Sequence, residues 1–479
     1  MTGIFRKYTA TLAAIMFAVM MTATVGAYAQ NSDTICLVND IKITGNKKTK
    51  QKIILCELEF GQGDTVSFRR LPEVLEKSRI NLQKTSIFNY VTIDYYTYGD
   101  SIKAGTNSIS VSINVEECWY TWPMFDVTPH NGNLNEWFAN PDFSMIDFLI
   151  GVKRYNFLGR RQSVGIMARV GFNNVIQLSY DNVAIDKQHK HLLSFYTSIQ
   201  RQNTVMLRTE DNKAKYRDFE DETKALHGYS YEISYRHRPT IDMSNLFSIG
   251  YESTSVHDSV AILNPNFFGG GRTHISGLVL SYEFRLDKRN SSYYPLVGSW
   301  LSTRIQKQGI LSNSIDTYKL TLDARKYIPL FPRQYFAVQF YGSMSSYSTP
   351  FYLMEAIGYK PNIVPGYEHN MISGRCVSYV KSSYKFELIR QHIVHLKWLP
   401  LEKFNKIHYA VYLNAFANAG YTTPKTDDVL CKNDMSDTFL GALGIGVDLV
   451  TYYDRVLSAF VTHNIQGGTY VGVGFKSSF

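Results

Sequence analysis

Alternation of apolar and charged residues dominates most of the sequence. In residues 273–288, Leu278 shares one face with further apolar residues, while Glu283 and Arg285 share the opposite face. Successive side chains of a strand point to opposite sides of a sheet, so each such segment has one apolar and one polar side. Charges opposite the apolar side, strand after strand, indicate a polar interior and an apolar exterior. We therefore expect a mainly β fold, a transmembrane β-barrel spanning residues 122–479.

About sixteen alternating segments can be counted, which predicts sixteen antiparallel strands. They begin near residues 122, 147, 162, 175, 191, 224, 243, 273, 299, 314, 334, 376, 408, 437, 455 and 469. An even number places both ends of the barrel on the periplasmic side. Several connections after odd-numbered strands are long, including 206–223, 256–272 and 347–375, while several after even-numbered strands are tight.

The first 29 residues have the three parts of a secretory signal peptide. Arg6 and Lys7 form the charged start, an apolar stretch follows, and a small-x-small cleavage site ends at Ala29. A transmembrane anchor is the alternative interpretation of residues 1–29. After Gln30 no apolar run approaches the ~18 to 20 residues that a spanning helix needs. An exported membrane protein of this kind would have to span as a barrel.

Composition agrees with a membrane barrel and excludes other classes. Aromatic residues make up 14% of the chain, and they suit both strands and the girdles of membrane interfaces. The net charge of +9 is spread without a basic run, so we do not expect nucleic-acid binding. The five cysteines match no zinc or redox motif, although Cys36 and Cys56 could pair in an oxidising compartment. We expect no enzyme activity, no cofactor and no metal, because no catalytic or phosphate-binding motif is found.

Residues 34–118 are expected to form a separate small α+β domain of order β-α-α-β-β. Thr49 is a candidate N-cap for a short helix, and a second helix is predicted from about Phe68. Two strands, at 90–98 and 108–117, complete the unit. Roughly 80 residues are enough for one small core.

Two phrases in this domain carry a family resemblance. The phrase IKITGNKKTKQKIILCELEFGQGD is followed by LEKSRINLQKTSIFNYVTI. Their Ile-x-Gly-Asn-x-x-Thr and Leu-x-x-Thr-x-x-Phe-x-x-Val patterns resemble a POTRA domain, the periplasmic module of the BamA/TamA superfamily of outer-membrane barrels. Single-POTRA members of the bacterial surface antigen family, common in the Bacteroidota, are the most similar. The resemblance implies binding of extended polypeptide at a sheet edge, with a rigid spacer as the alternative.

The resemblance also identifies a candidate site in the loop at 347–375, which would be the sixth extracellular loop. In the superfamily this loop folds into the lumen, and an Arg in its Val/Leu-Arg-Gly-Tyr/Phe motif pairs with the Asp of a Phe-x-Asp-x-Gly motif on the thirteenth strand. The corresponding segments here are Val364-Pro365-Gly366-Tyr367-Glu368 and Phe416-Ala417-Asn418-Ala419-Gly420. Both charged residues are thus replaced, by Pro365 and by Asn418.

Loss of both charges favours a loop that still docks. Removing one partner of a buried ion pair leaves an uncompensated charge and costs roughly 3 to 5 kcal/mol, whereas removing both can be close to neutral. We expect a plugged barrel whose loop is held by packing around Tyr367 and by neutral hydrogen bonds. Arg375 is an alternative source of the missing guanidinium.

The resemblance extends to the C terminus and to function. Phe475 and the terminal Phe479 lie on an alternating segment that resembles the insertion signal of outer-membrane barrels. The implied function is to insert or translocate polypeptides into or across the bacterial outer membrane, with the POTRA domain in the periplasm. The alternatives are an accessory barrel without insertase activity and a polypeptide secretion pore. The implied partners are outer-membrane lipid and lipopolysaccharide, unfolded outer-membrane or exported polypeptides at the POTRA edge, and accessory lipoproteins.

Overall fold

The computed structural model describes most of the chain beyond the expected signal peptide. The described residues are 35–97, 106–129, 137, 141, 143, 146–219, 225–312, 314–395, 406–424, 433–451 and 455–476. The predicted signal peptide at 1–29 and the terminal Phe479 lie outside these residues.

The first domain is a four-stranded sheet covered by two helices. Its elements are β1 (Ile35–Thr44), α1 (Gln51–Leu55), β2 (Thr65–Ser67), α2 (Leu71–Lys84), β3 (Phe88–Thr97) and β4 (Thr106–Glu117). The strand order is β2-β1-β4-β3, with β1 parallel to β4. Alternate residues of β4, including Ile109, Val111 and Ile113, are fully buried against the helices. The structure adds the short strand β2 to the predicted β-α-α-β-β order, because three residues are too few to show an alternation.

Sixteen antiparallel strands form the second sheet, and they follow one another around it in chain order. They are β5 (Thr121–Pro129), β6 (Ile146–Phe157), β7 (Gln162–Gly171), β8 (Asn173–Ala184), β9 (His191–Gln202), β12 (Leu226–His237), β13 (Met243–Val256), β14 (His274–Asp287), β15 (Gly298–Ile310), β16 (Thr317–Phe331), β17 (Gln334–Ser345), β20 (Cys376–His395), β21 (Lys406–Thr423), β22 (Leu440–Thr451), β23 (Arg455–Asn464) and β24 (Thr469–Lys476). The predicted sixteen-stranded antiparallel architecture is confirmed.

Within the described ranges, four further strands and the helix after β13 lie in the long connections on one side of this sheet. The connection predicted to be long at 206–223 contains most of a hairpin, formed by β10 (Thr204–Glu210) and β11 (Lys213–Asp218). Helix α3 (Asp258–Leu263) follows β13, and the short hairpin of β18 (Glu355–Ile357) and β19 (Ile372–Gly374) lies between β17 and β20.

The two faces of the large sheet have opposite character. Outward apolar side chains are exposed in mid-strand, such as Ile166 at 55% and Ile249 at 49%. Inward polar side chains are buried, such as Glu283 and Asp448 at 5% each. Exposed apolar residues outside and buried polar residues inside are the arrangement of a membrane barrel.

A row of outward aromatic rings crosses adjacent strands near the side of the short turns. Tyr235 lies opposite Phe247, which in turn lies opposite Tyr282 in the strand ladders. The ring centroids are 6.3 Å and 4.9 Å apart along this row. Aromatic rows of this kind are typical of the interfacial girdles of outer-membrane barrels.

The described residues contain neither a disulfide nor a metal cluster. Cys36, Cys56 and Cys376 are free thiols in this part of the chain, so Cys36 and Cys56 do not form the disulfide that the sequence left open. No three His, Cys, Asp or Glu side chains of the described ranges could hold a metal ion together. None of the helices described is long and apolar enough to cross a membrane.

The small domain docks on the short turns of the barrel through a buried polar contact. The Glu117 carboxylate accepts hydrogen bonds from the Thr49 backbone N–H at 2.6 Å and from the Thr49 hydroxyl at 2.7 Å. The Asn156 side chain, in the barrel, donates to the same hydroxyl at 2.8 Å. The Lys50 backbone N–H donates to the Gly159 carbonyl at 3.0 Å. These contacts tie the residues just before α1 to the first short turn, and Glu117 at the end of β4 holds Thr49 in place.

A second contact buries the Glu57 carboxylate between two barrel arginines. Arg238 donates two hydrogen bonds to Glu57, at 3.0 Å and 3.2 Å, and Arg161 forms a further ion pair with it. Glu57 is only 3% exposed. Burial alone would raise the pKa of Glu57, but the two guanidinium groups outweigh it and hold this pKa below its ordinary value.

A charge on the outward face should destabilise the barrel far more than a charge in the lumen. Ile249→Arg places a guanidinium near the bilayer midplane and should lower the free energy of unfolding by about 2–4 kcal/mol. The matched control is Ser198→Arg, because Ser198 lines a cavity on the inner face. Guanidinium-chloride unfolding in lipid vesicles measures both variants. Equal destabilisation by the two substitutions would contradict the assignment of the faces.

Acid should loosen the docked domain through Glu57. The pKa of docked Glu57 is lowered. The contribution of Glu57 to the free energy of docking is therefore complete above the ordinary glutamate pKa, and it is lost as the pH falls through the docked pKa. The distribution of distances between spin labels on the domain and on the barrel should therefore be narrow at neutral pH and should broaden below about pH 4. Glu57→Gln should remove this transition, whereas Glu59→Gln, which affects an ion pair within the domain, should keep it. An acid transition that survives in Glu57→Gln would refute the assignment.

Candidate functional site

The long connection between β17 and β20 folds inward instead of extending away from the barrel. A 3-10 turn at Phe351–Leu353 packs into an apolar cluster under the other long connections, where Phe351 contacts Phe267 and further rings. The remainder, including hairpin β18–β19, lies against the inner faces of the last strands. This is the segment that the sequence places at 347–375.

The predicted loop motif lies against the predicted strand motif. The Asn418 side-chain amide donates to the Pro365 carbonyl at 3.0 Å. The Asn464 side-chain amide donates to the neighbouring Gly366 carbonyl at 2.8 Å. Where the superfamily motifs would place an Arg–Asp ion pair, this chain has neutral hydrogen bonds from two asparagines to the loop backbone.

Tyr367 is the main side-chain anchor of the loop. It is 1% exposed, and its hydroxyl accepts a hydrogen bond from the Gly441 N–H at 2.7 Å and donates to the Gln466 side-chain oxygen at 2.6 Å. Its ring belongs to an apolar cluster shared by loop and strands: Ile357, Val364, Tyr367, Ile372, Val377, Tyr379, Leu440 and Ala442. The loop is therefore held by packing and by satisfied polar groups at the same point.

Two neighbours of Tyr367 shape the tip. Gly366 has a φ of +97°, and a Cβ there would lie 2.5 Å from the Ala442 Cβ, so only glycine fits this turn. Glu368 is 1% exposed, and one of its carboxyl oxygens accepts a hydrogen bond from the Gly366 N–H at 2.7 Å. The other oxygen has no hydrogen-bond partner among the described residues.

The remaining strand-motif residues also meet the loop or its support. A Cβ on Gly420 would lie 3.1 Å from Ile357 of the loop, so the loop packs directly on this glycine. Phe416 covers Gly444, where a Cβ would lie 2.4 Å from the ring. Arg375, the alternative guanidinium, instead lies over the Tyr347 ring at 4.0 Å and donates to a backbone carbonyl at 3.2 Å. It makes no bond to Asn418.

Sequence reasoning missed several residues that hold the loop. Lys381 donates to the Ile363 carbonyl, and Glu355 accepts from Lys319 and, at 3.1 Å, from the Tyr341 hydroxyl. The inward positions of Lys381, Lys319 and Tyr341 follow from the alternation, but their loop partners do not. Asn464 and Gln466 lie near a turn, where such residues are ordinary.

The first and last strands form the two ends of the sheet order. β5 has nine residues and contains Pro123 and Pro129, while β24 has eight and contains Gly472 and Gly474. Proline has no N–H to donate, and glycine weakens strand pairing. Within the described ranges, β5 and β24 form no ladder with each other. The backbone of Phe475 lies opposite Leu457 of β23.

Exchange of the Asn418 donor for an acceptor should loosen the loop. Asn418→Asp turns a carboxylate oxygen toward the Pro365 carbonyl, so the protection of loop amides against hydrogen exchange should fall by about 1–3 kcal/mol. Adding Pro365→Arg supplies an opposite charge and should restore the protection. Ser382→Ala, on the outward face of the adjacent strand, is the control and should have no effect. If the double variant is looser than Asn418→Asp alone, the two positions do not face each other as described.

Comparison with known families places the chain among outer-membrane barrels. The model described as Omp85 superfamily domain matches residues 156–452, and the model described as POTRA, surface antigen variable number repeat, matches residues 37–118. No curated protein matches the sequence. Members of the Omp85 family are transporters or assembly factors.

The chain is similar to several solved structures at low sequence identity. BamA from Haemophilus ducreyi lacking POTRA domains 1–3 aligns with a TM-score of 0.50 and 15% identity, over 92% of this chain and 84% of that chain. CdiB from Escherichia coli gives 0.45 and 10%, over 95% and 92% of the two chains. CdiB from Acinetobacter baumannii gives 0.46 and 14%, over 92% and 73%. The Bacteroidota assignment stays a prediction.

The Omp85 match covers more than half of the chain. The chain therefore belongs to the Omp85 superfamily, as an outer-membrane β-barrel of the polypeptide insertion or translocation type with a periplasmic POTRA domain.

Proposed function

We propose that this protein inserts polypeptides into the outer membrane at the seam between β5 and β24. The composition of these two strands supports the proposal most directly. Pro123 and Pro129 remove two backbone donors from β5, and Gly472 and Gly474 reduce side-chain packing along β24. A seam with few hydrogen bonds opens at low cost and exposes edges that can template a new strand.

The POTRA domain supplies a second edge, on the periplasmic side. β3 pairs with β4 on one side and lies at the end of its sheet order. Tyr96, on this strand, is 63% exposed. An extended polypeptide could add to this edge through main-chain hydrogen bonds, with its side chains packing on the exposed tyrosine rings. Delivery from this edge to the barrel seam would define the path of a client.

The neutral anchor of the loop fits this function. Asn418, Asn464 and Tyr367 hold the loop inside the lumen without a buried charge pair. The lumen thus stays obstructed while the seam works, which favours insertion at the seam over passage through an open pore. We further propose that the outward apolar belt contacts outer-membrane lipid and lipopolysaccharide, and that accessory lipoproteins bind the POTRA domain.

Strengthening the seam should slow insertion. In Pro123→Val combined with Gly474→Val, a backbone donor returns to β5 and a β-branched side chain is added to β24. A Cβ at Gly474 meets the Ser458 Cβ at 3.6 Å, an ordinary van der Waals contact, so the added side chain begins without a clash. If one restored hydrogen bond contributes about 1 kcal/mol, the insertion rate should fall about fivefold. The assay follows folding of a urea-unfolded eight-stranded barrel into vesicles that contain the protein.

Pro329→Val, on β16 within the continuous part of the sheet, is the matched control and should leave the rate unchanged. Vesicles with wild-type protein that insert the client no faster than empty vesicles would refute the insertion proposal. Depletion of the protein from cells gives a second test. If the levels of all other outer-membrane barrels and surface lipoproteins stay unchanged, the insertion proposal is refuted and an accessory barrel is favoured.

A further inference from the structure

A cavity of about 200 Å³ lies where the POTRA domain meets the periplasmic mouth of the barrel. Basic side chains dominate its wall. The lining cations are Lys84, Arg160, Arg161, Arg236, Arg238 and Arg285, and the lining carboxylates are Glu57, Asp242 and Asp287. The cavity therefore has twice as many permanent cations as carboxylates.

The pairing within this wall leaves part of the positive charge unmatched. Asp287 is bound by Arg289 from outside the lining, at 2.8 Å, and Arg285 is bound by Glu283 at 2.7 Å. Glu57 is shared between Arg161 and Arg238. Arg160 and Arg236 have no side-chain hydrogen bond or ion pair within the described ranges. Lys84 pairs with Asp242 at 3.7 Å. The remaining lining carboxylate, Glu57, thus stands among four guanidinium groups, and those of Arg160 and Arg236 are unmatched.

Glu57 shows which chemistry the wall accepts. Arg238 contacts its carboxylate with two nitrogens, one to each oxygen, at 3.0 Å and 3.2 Å. This two-point geometry suits carboxylates and phosphates, and here its occupant is a carboxylate. Arg236 lies near the end of β12, two residues before Arg238, and lines the same cavity, so a second carboxylate could be held beside the first.

We propose that Arg161, Arg236 and Arg238 form a carboxylate-binding site, which Glu57 occupies while the POTRA domain is docked and which an acidic segment of a polypeptide client occupies when Glu57 leaves. This inference rests on the proposed function, because it assigns the site to the client. The position supports that choice, since the cavity lies between the POTRA sheet and the lumen. Glu57 is thus an internal occupant of a client site.

Competition between Glu57 and a client carboxylate for the same arginines explains why Glu57 would control access to the site. A group tethered in the same chain competes at an effective concentration of the order of millimolar. A free peptide must displace the Glu57 carboxylate, so the site is occupied in the docked state and becomes available after undocking. Binding of an acidic segment and release of the POTRA domain are therefore coupled.

Peptide binding to the full chain in lipid nanodiscs tests the inference. The probe is an end-capped Gly-Ser-Gly-Glu-Gly-Ser-Gly peptide with a neutral nitrobenzoxadiazole label, compared with the same peptide carrying Gln in place of Glu. Fluorescence anisotropy measures binding to wild type, to Glu57→Gln, and to Glu57→Gln combined with Arg236→Gln or Arg272→Gln. Arg272 lies on an exposed connection at the opposite end of the barrel and is the matched control. Heat-modifiable electrophoretic mobility shows that each barrel is folded.

Glu57→Gln should bind the Glu peptide at least tenfold more tightly than wild type, because the internal competitor is gone. Adding Arg236→Gln should reverse this gain, and adding Arg272→Gln should not. Equal binding of the Glu and Gln peptides, or no gain in Glu57→Gln, would overturn the inference. Either result would leave vesicle insertion intact, so failure of this site is distinguishable from failure of the proposed function.

Discussion

The backbone of a membrane-spanning chain must satisfy its own hydrogen bonds, because the hydrocarbon offers none. In this chain sixteen strands meet that requirement by pairing in chain order. The same constraint determines which side chains are apolar. Every second residue of a strand faces lipid and must be apolar, while the residues between them face an enclosed space. Glu283 and Asp448 can be buried only because that space is polar. The loop, the mouth and the seam all follow from this arrangement.

An enclosed polar space contains either protein or water, and here the inward loop occupies it. The tip of the loop is held by neutral groups, and its hairpin is held by the Lys319–Glu355 ion pair. Tyr367 and the asparagines Asn418 and Asn464 satisfy loop backbone and strand groups together. An unmatched charge at this position would be costly, whereas two neutral partners leave no charge to compensate. At the mouth the chain does the opposite and concentrates guanidinium groups around Glu57. The contact at the loop tip is thus neutral, whereas the contact at the mouth is ionic.

Much of the fold could be predicted because the alternation of apolar and polar residues, with a period of two, is easily seen in the sequence. The predicted strand starts lie close to the observed ones from β5 to β24, and family resemblance located the Pro365 and Asn418 pair. Long-range contacts could not be predicted in this way. Thr49, expected to cap α1 through its side chain, instead bonds to Glu117 and receives a bond from Asn156, while Lys50 stands at the cap position without a side-chain bond. Nothing local in the sequence links residues so far apart.

Steady conductance in a planar bilayer tests most directly whether the loop fills the lumen. The wild-type protein should show little steady conductance, and a variant in which residues 347–374 are replaced by a short Gly-Ser turn should show a large and steady one. A large steady conductance of the wild type, equal to that of the shortened variant, would contradict a lumen obstructed by its own loop.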